Sequence, residues 1–380
     1  MAIHKTAALL LSATVAVSMF AGCATNQPPV ASPSPPAQDQ PTTTTPDQPA
    51  LIGVTMPTVS LERWNNDGAG LQAQLESMGY KVQLDYADNK NELQIQQLEN
   101  QINAGAKVLV IASIDGKTLG PTLQKAADKG IKVLAYDRLI MNTPNVDYYA
   151  TFDNLKVGTL QGNFIKDALK LDSAAGPFNL EPFAGSPDDN NAGLFFQGAW
   201  DILKPFVDAG KLVIQSETGK KASGNWQDIG ILEWKSATAQ SEMENRLNSY
   251  YTDKKVDVVL SPNDSLALGI AQALETKGYK VGTDWPVLTG QDGDVANVKN
   301  IMAGKQSMTV WKDTRELAKR AATMVDQLVR GETVEVNNTT DYNNGSKVVP
   351  SFLLDPQVVV KDDVQSKLVD SGFIKADQLS

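Results

Sequence analysis

An aspartate and an arginine stand side by side where a buried strand should end. In GIKVLAYDRLI, residues 130–140, the run from Ile131 to Ala135 is mostly apolar and β-branched and is opened by a glycine, which reads as a buried strand. Asp137 and Arg138 follow at once. Charges placed at the end of a buried strand need partners, because leaving them unpaired away from water is costly. The same theme recurs along the chain. SLERW (60–64), SPDDNN (186–191), PND (262–264), GQD (290–292) and WKD (311–313) each follow an apolar run. Trp64, Trp226, Trp234 and Trp311 also fall at such positions. Ionised Asp beside Arg, Asn or Lys makes strong charge-assisted hydrogen bonds to hydroxyl groups. Tryptophan offers a flat apolar face to the C–H side of a pyranose ring. Together these residue types suit a monosaccharide better than a nucleotide or an anion.

The elements that must carry these residues alternate. Apolar strands are expected at 51–56, 81–87, 107–113 and 131–136, with a short one at YYATF. Helical spacing of apolar residues falls between them, near 60–78, 91–103 and 117–129. A second series has strands at 177–185, 211–217, 256–261, 285–290 and 306–311. Its helices are expected near 155–169, 191–208, 235–251, 264–277, 294–303 and 314–330. Strand–helix alternation with strands apolar on both faces implies parallel sheets covered by helices. Two series imply two similar Rossmann-like α/β domains. In open parallel sheets ligands bind beyond the carboxyl ends of the strands, and that is where the charged clusters lie.

With 380 residues, two domains fit the length. The net charge of −10 argues against nucleic acid as a partner. The sole histidine is His4 and the sole cysteine is Cys23. Both lie in MAIHKTAALLLSATVAVSMFAGC, which has a basic start, an apolar run and small residues before the cysteine, the layout of a secretory signal peptide. The body then has neither histidine nor thiol, which leaves no nucleophile–histidine catalysis and no His- or Cys-ligated metal. Residues 24–50, rich in Pro, Thr, Ser and Gln, read as an extended tether. GAGLQA (68–73) superficially matches a dinucleotide fingerprint, but its first glycine follows the strand too late for the tight turn that motif requires.

The ordered set ERW, YDR, SPDDNN, PND, GQD and WKD resembles the periplasmic sugar-binding proteins of ABC transporters, of the type I fold. The likeness is greatest to xylose-binding and multiple-sugar-binding (glucose, galactose, arabinose) members, and it spans residues 51–380. It implies two α/β domains, a three-segment hinge near 153–154, 312–313 and about 340, and a ligand cleft between the domains. The implied boundaries are 51–153 plus 313–340 for the first domain and 154–312 plus 341–380 for the second. The implied sugar ligands are Arg63, Trp64, Asp137, Arg138, Asp189, Asn191, Trp234, Asn263, Asp292 and Lys312. Asp188 rivals Asp189, and Trp226 has no assigned place. LDSAAGPFN (171–179) lacks the alternating oxygen ligands of the calcium loop found in galactose-binding relatives, so no metal is expected. No cofactor is expected either.

The Ala-Gly-Cys ending resembles a lipobox, with Phe20 in the usual leucine position. On that likeness residues 1–22 are a lipoprotein signal peptide, and 23–50 are a lipidated cysteine with its tether. The expected protein is a monomeric, membrane-anchored extracytoplasmic component. It closes on an aldose and hands it to an ABC permease, and it is not an enzyme. The alternatives are a sugar-sensing receptor component and a carboxylate-based glycoside hydrolase, for which Asp188 or Asp189 with Asp292 would serve. A repressor of the same fold would need a DNA-binding helix pair and a basic face in place of this N-terminus.

Overall fold

The computed structural model describes residues 49–380. The signal peptide, Cys23 and all but the last residues of the tether lie outside them. The first lobe is built on a six-stranded parallel sheet. Its order is Ser351–Leu354, Tyr148–Phe152, Lys132–Tyr136, Val108–Ile111, Leu51–Met56 and Lys81–Tyr86. The side-chain period of two sorts each strand onto two cores. Val54, Val110, Leu134 and Phe152 face helices Glu62–Ser77 and Thr314–Arg330. Leu109, Ile111, Val133 and Tyr149 face helices Asn91–Asn103 and Gly120–Asp128.

The second lobe carries a four-stranded parallel sheet ordered Leu212–Val213, Phe178–Pro182, Val258–Leu260, Val287–Leu288. Helices Asn154–Ala168 and Asn190–Asp208 cover one side, with Ser236–Tyr250 and Asp264–Thr276 on the other. A separate three-stranded sheet joins Gln291–Asp292, Thr309–Trp311 and Gln357–Val359, the last strand antiparallel. Two α/β lobes on parallel sheets, with their strand ends facing one cleft, are the architecture that the resemblance implies.

Three differences from the sequence reading are physical. The expected placement of 341–380 in the second domain fails for Ser351–Leu354, which extends the first sheet beside Tyr148–Phe152. The last crossing between lobes therefore falls after Leu354, not near 340. The strands expected at 211–217, 285–290 and 306–311 shrink to two or three residues, because their flanks are taken up by turns such as the one through Gly290 and by the helix Thr218–Gly224. Asp115 starts a turn by accepting from Lys117 N, while the helix opens later, at Gly120.

Candidate ligand-binding site

All ten residues singled out from the sequence line one cavity between the lobes. Leu61, Phe195, Ser265, Gln291 and Asp294 complete the wall.

The first lobe supplies the opening pair. Asp137 ends its strand in the left-handed backbone region, φ 58°, which Asp tolerates better than most residues. This turns its carbonyl toward the interior, where Thr151 Oγ1 donates at 2.9 Å and Tyr149 OH also donates. Asn191, from the second lobe, donates its Nδ2 to the same carbonyl at 2.7 Å. The Asp137 carboxylate pairs with Arg63. Burial alone would raise the Asp137 pKa, but Arg63 and Lys312 outweigh it and hold the group below its ordinary range. Arg138 donates to the Ser113 carbonyl at 3.1 Å, and its Nε lies 2.9 Å from Asp189 Oδ2 of the other lobe. That contact is an ion pair with the N–H off the line of a hydrogen bond. Both guanidiniums, of Arg63 and Arg138, lie over the Trp64 ring, at 4.9 and 5.1 Å.

The second lobe answers with helix starts and one turn. Asp189 caps the helix Asn190–Asp208 by accepting from Asn191 N at 2.9 Å, so the helix's own start aims both side chains at the cleft. Burial pushes the Asp189 carboxyl up even though Arg138 opposes it. Asp188 bonds Ser186 and does not line the cavity, whereas its rival Asp189 does. Asn263 caps the helix Asp264–Thr276 through Leu266 N, at 3.0 Å, and lines the cavity as well. Trp234 sits behind a left-handed pair, Glu233 and Trp234, and its ring packs on Gly185, where a β-carbon would collide with it. Asp292, at φ 107°, forms an ion pair with Lys312 Nζ at 2.9 Å and accepts from Arg63 Nη1 at 3.4 Å.

Behind Asp292, the fully buried Asp264 holds the turn in place. It accepts from Gly293 N, Asp294 N and Thr309 Oγ1 at 3.0 Å each and from Gln306 Nε2 at 2.8 Å. Burial, with the neighbouring Asp292 charge, pushes Asp264 up to about 7. Burial also raises Asp294, with Asp264 and Asp292 adding to it. A carboxyl raised in the folded state keeps a proton that the unfolded chain releases at its ordinary, lower pKa. The folded chain therefore binds more protons between those two values, and stability falls as pH rises through them. The lowered Asp137 acts only below its ordinary value, so it does not oppose this above pH 4. The ligand-free protein is expected to melt roughly 3 °C or more higher at about pH 5.5 than at about pH 8. Scanning calorimetry at fixed ionic strength checks this; a higher melting point at pH 8 would mean these carboxyls are ionised in the fold.

Two expectations from strand position end elsewhere. Trp311 packs edge-on against Phe373, away from the cavity. Trp226 lies against Gly193 in a separate groove beside Asp188. Trp200 is core, stacked on Phe196. Tyr251, at the C-terminal end of the helix Ser236–Tyr250, donates to the buried Glu181. GAGLQA lies within the helix Glu62–Ser77 with Gly68 against Tyr86, so it frames no phosphate. Phe195 was missed but legible, because it stands one helical turn from Asn191 on the same face. Gln291 and Asp294 flank Asp292 in the same turn.

Two lobes joined by repeated crossings, with charged and aromatic groups from both lining one cavity, have the arrangement of a two-domain ligand-binding protein. A periplasmic binding protein domain matches residues 52–333. The chain is 51% identical over 329 residues to the multiple sugar-binding periplasmic receptor ChvE of Rhizobium radiobacter, covering 86% of this chain and 92% of that protein. It is 38% identical over 328 residues to the D-xylose-binding periplasmic protein of Escherichia coli (strain K12), with the same coverage of 86% and 92%. Among solved structures it resembles an ABC transporter solute-binding protein from Clostridium phytofermentans with bound β-D-glucose. That likeness has a TM-score of 0.82 and 50% identity, covering 87% of this chain and all of the other. The chain belongs to the periplasmic binding protein family, and these relatives are binding proteins, not enzymes.

Proposed function

We propose that this protein binds one aldose, a pentose or hexose such as xylose, glucose, galactose or arabinose, by closing its lobes around it, and delivers it to an ABC permease. The observation that carries the reading is the wall of the cavity. Three cations, Arg63, Arg138 and Lys312, alternate with the carboxylates Asp137, Asp189 and Asp292, and Trp64, Trp234 and Phe195 supply apolar faces. Hydroxyls can accept from the cations and donate to the carboxylates, and C–H faces can lie against the rings. The names of the relatives and the glucose in the similar structure support the same class of ligand. The relatives are binding proteins, which supports binding over hydrolysis.

The ligand would bridge residues of both lobes and so favour the closed state. The deciding experiment is calorimetric titration of the chain with xylose, arabinose, glucose, galactose, ribose and a disaccharide. Micromolar or tighter binding of one or a few aldoses, one per chain, is expected. No heat with any of them would sink the sugar assignment and leave the fold standing.

The anchoring part of the proposal rests on the sequence around Cys23. A lipidated cysteine at the start of the tether would keep a monomeric receptor at the outer face of the cell membrane. Cys23→Ser is then expected to move the protein from the detergent phase to the aqueous phase on phase partitioning. Retention in the detergent phase would show that another segment anchors it.

A further inference from the structure

Arg63 reaches the cavity from the second residue of its helix, and two groups that do not line the cavity hold it from behind. Asp67, one turn on and fully buried, accepts from Arg63 Nε at 3.1 Å. Its other oxygen accepts from the hydroxyl of Tyr136, which is also fully buried. Tyr136 is the last residue of the strand that runs straight into Asp137. The guanidinium is thereby divided: Nε to Asp67, Nη2 to Asp137 and Nη1 across the cleft to Asp292. Because Nε is occupied on the buried side, both Nη groups are turned toward the cavity and the second lobe.

We infer that Asp67 and Tyr136 are positioning residues for ligand binding, setting the plane of the Arg63 guanidinium from outside the site. The inference rests on the sugar-binding reading above. An apolar residue at 67 would pack this helix face beside Leu71 and Leu75 without the cost of burying a carboxylate. That cost is visible: burial pushes Asp67 up to about 6 even though Arg63 opposes it. The charged or titratable groups facing Asp67 are Arg63 on its own helix, Tyr136 and Asp137 at the strand end, and Tyr86 on the neighbouring strand.

The test is titration of the full chain with D-glucose and D-xylose for the wild type, Asp67→Asn, Tyr136→Phe, Arg63→Ala and the double variant Asp67→Asn/Arg63→Ala. Asp67→Asn should weaken binding about tenfold or more, and Tyr136→Phe about threefold or more. In the Arg63→Ala background the Asp67 change should cost less than about twofold, because its route to the ligand is gone. The ratio of wild-type to Asp67→Asn affinity should also shrink between about pH 7.5 and pH 5, since protonated Asp67 approaches the variant's charge state. Equal affinity of Asp67→Asn and wild type, or an equal loss with and without Arg63, overturns the inference. If Asp67→Asn fails to fold, Tyr136→Phe decides, and unchanged affinity in that variant also overturns it. Absence of any sugar binding by the wild type would instead remove the reading on which the inference rests.

Discussion

Asp292→Asn is expected to lower sugar affinity by roughly 30- to 3,000-fold, the range for cutting one partner out of a buried charge pair. Asp292 is one of the points where the lobes meet electrically, as Arg138 with Asp189 is another. Its carboxylate lies 2.9 Å from Lys312 Nζ in an ion pair, close to a crossing between the lobes, and accepts from Arg63 of the first lobe at 3.4 Å. Asparagine keeps the volume and tolerates the unusual backbone at this position, but it removes the charge. Lys312, almost fully buried, would then lose its one direct ion-pair partner and keep only the Phe152 and Phe195 rings, at 6.0 and 5.4 Å. A stranded buried ammonium costs more than the pair gains, so the melting temperature should fall as well. Adding Lys312→Met tests that account. It removes the orphaned charge, so stability should recover toward wild type while affinity does not. If Asp292→Asn binds within threefold of wild type by calorimetry, the cross-lobe contact is no part of the grip on the ligand.

The sequence carried the alternation of strands and helices because each strand is a short apolar run and each helix has its own apolar stripe. Helices Asn91–Asn103 and Thr314–Arg330 fall where spacing alone puts them. The site was legible for a related reason: polar clusters follow the strands, so Asp137, SPDDNN and PND could be placed at the cleft, while the choice of ligands came from the family resemblance and left Asp188 and Asp189 as rivals. What local chemistry does not encode is direction and distance. Strand position could not tell Trp234, turned inward by two left-handed residues, from Trp311, turned toward Phe373. PSFLL is too short a run to show that it returns to the first sheet. Asp67 and Tyr136 look like ordinary members of a helix and a strand, and their pairing appears only when residues 69 apart in sequence meet.

Some site geometry depends on residues with no chemistry at all. Gly158 of the helix Asn154–Ala168 meets Gly198 of the helix Asn190–Asp208 at close range, and Gly162 of the first helix meets Ala199 and Ile202 of the second. A β-carbon on Gly158 would run into the Phe195 carbonyl oxygen and stand 2.8 Å from Ala199 N, and one on Gly198 would strike the Leu155 carbonyl. These are backbone atoms, which cannot swing aside as a side chain can. The second helix begins at the Asp189 cap and carries Asn191 and Phe195, so moving the helix apart from its partner moves three cavity residues together. Gly158→Ala should therefore act as an overpacking change at the upper end of its usual cost, about 3 kcal/mol or more. The melting temperature should drop by roughly 6 °C or more. Affinity should fall with it, by about tenfold, because Asn191 would lose its 2.7 Å bond to the Asp137 carbonyl. The same substitution at Gly130, where nothing lies within 4 Å, is the control: its φ of 72° strains any side chain, yet it sits far from the site's helix pair. Gly130→Ala should cost about 1 kcal/mol of stability and leave affinity unchanged. Melting and titration of the two variants side by side separate backbone strain from helix displacement; equal affinity losses would mean that the close crossing of these helices does not set the site.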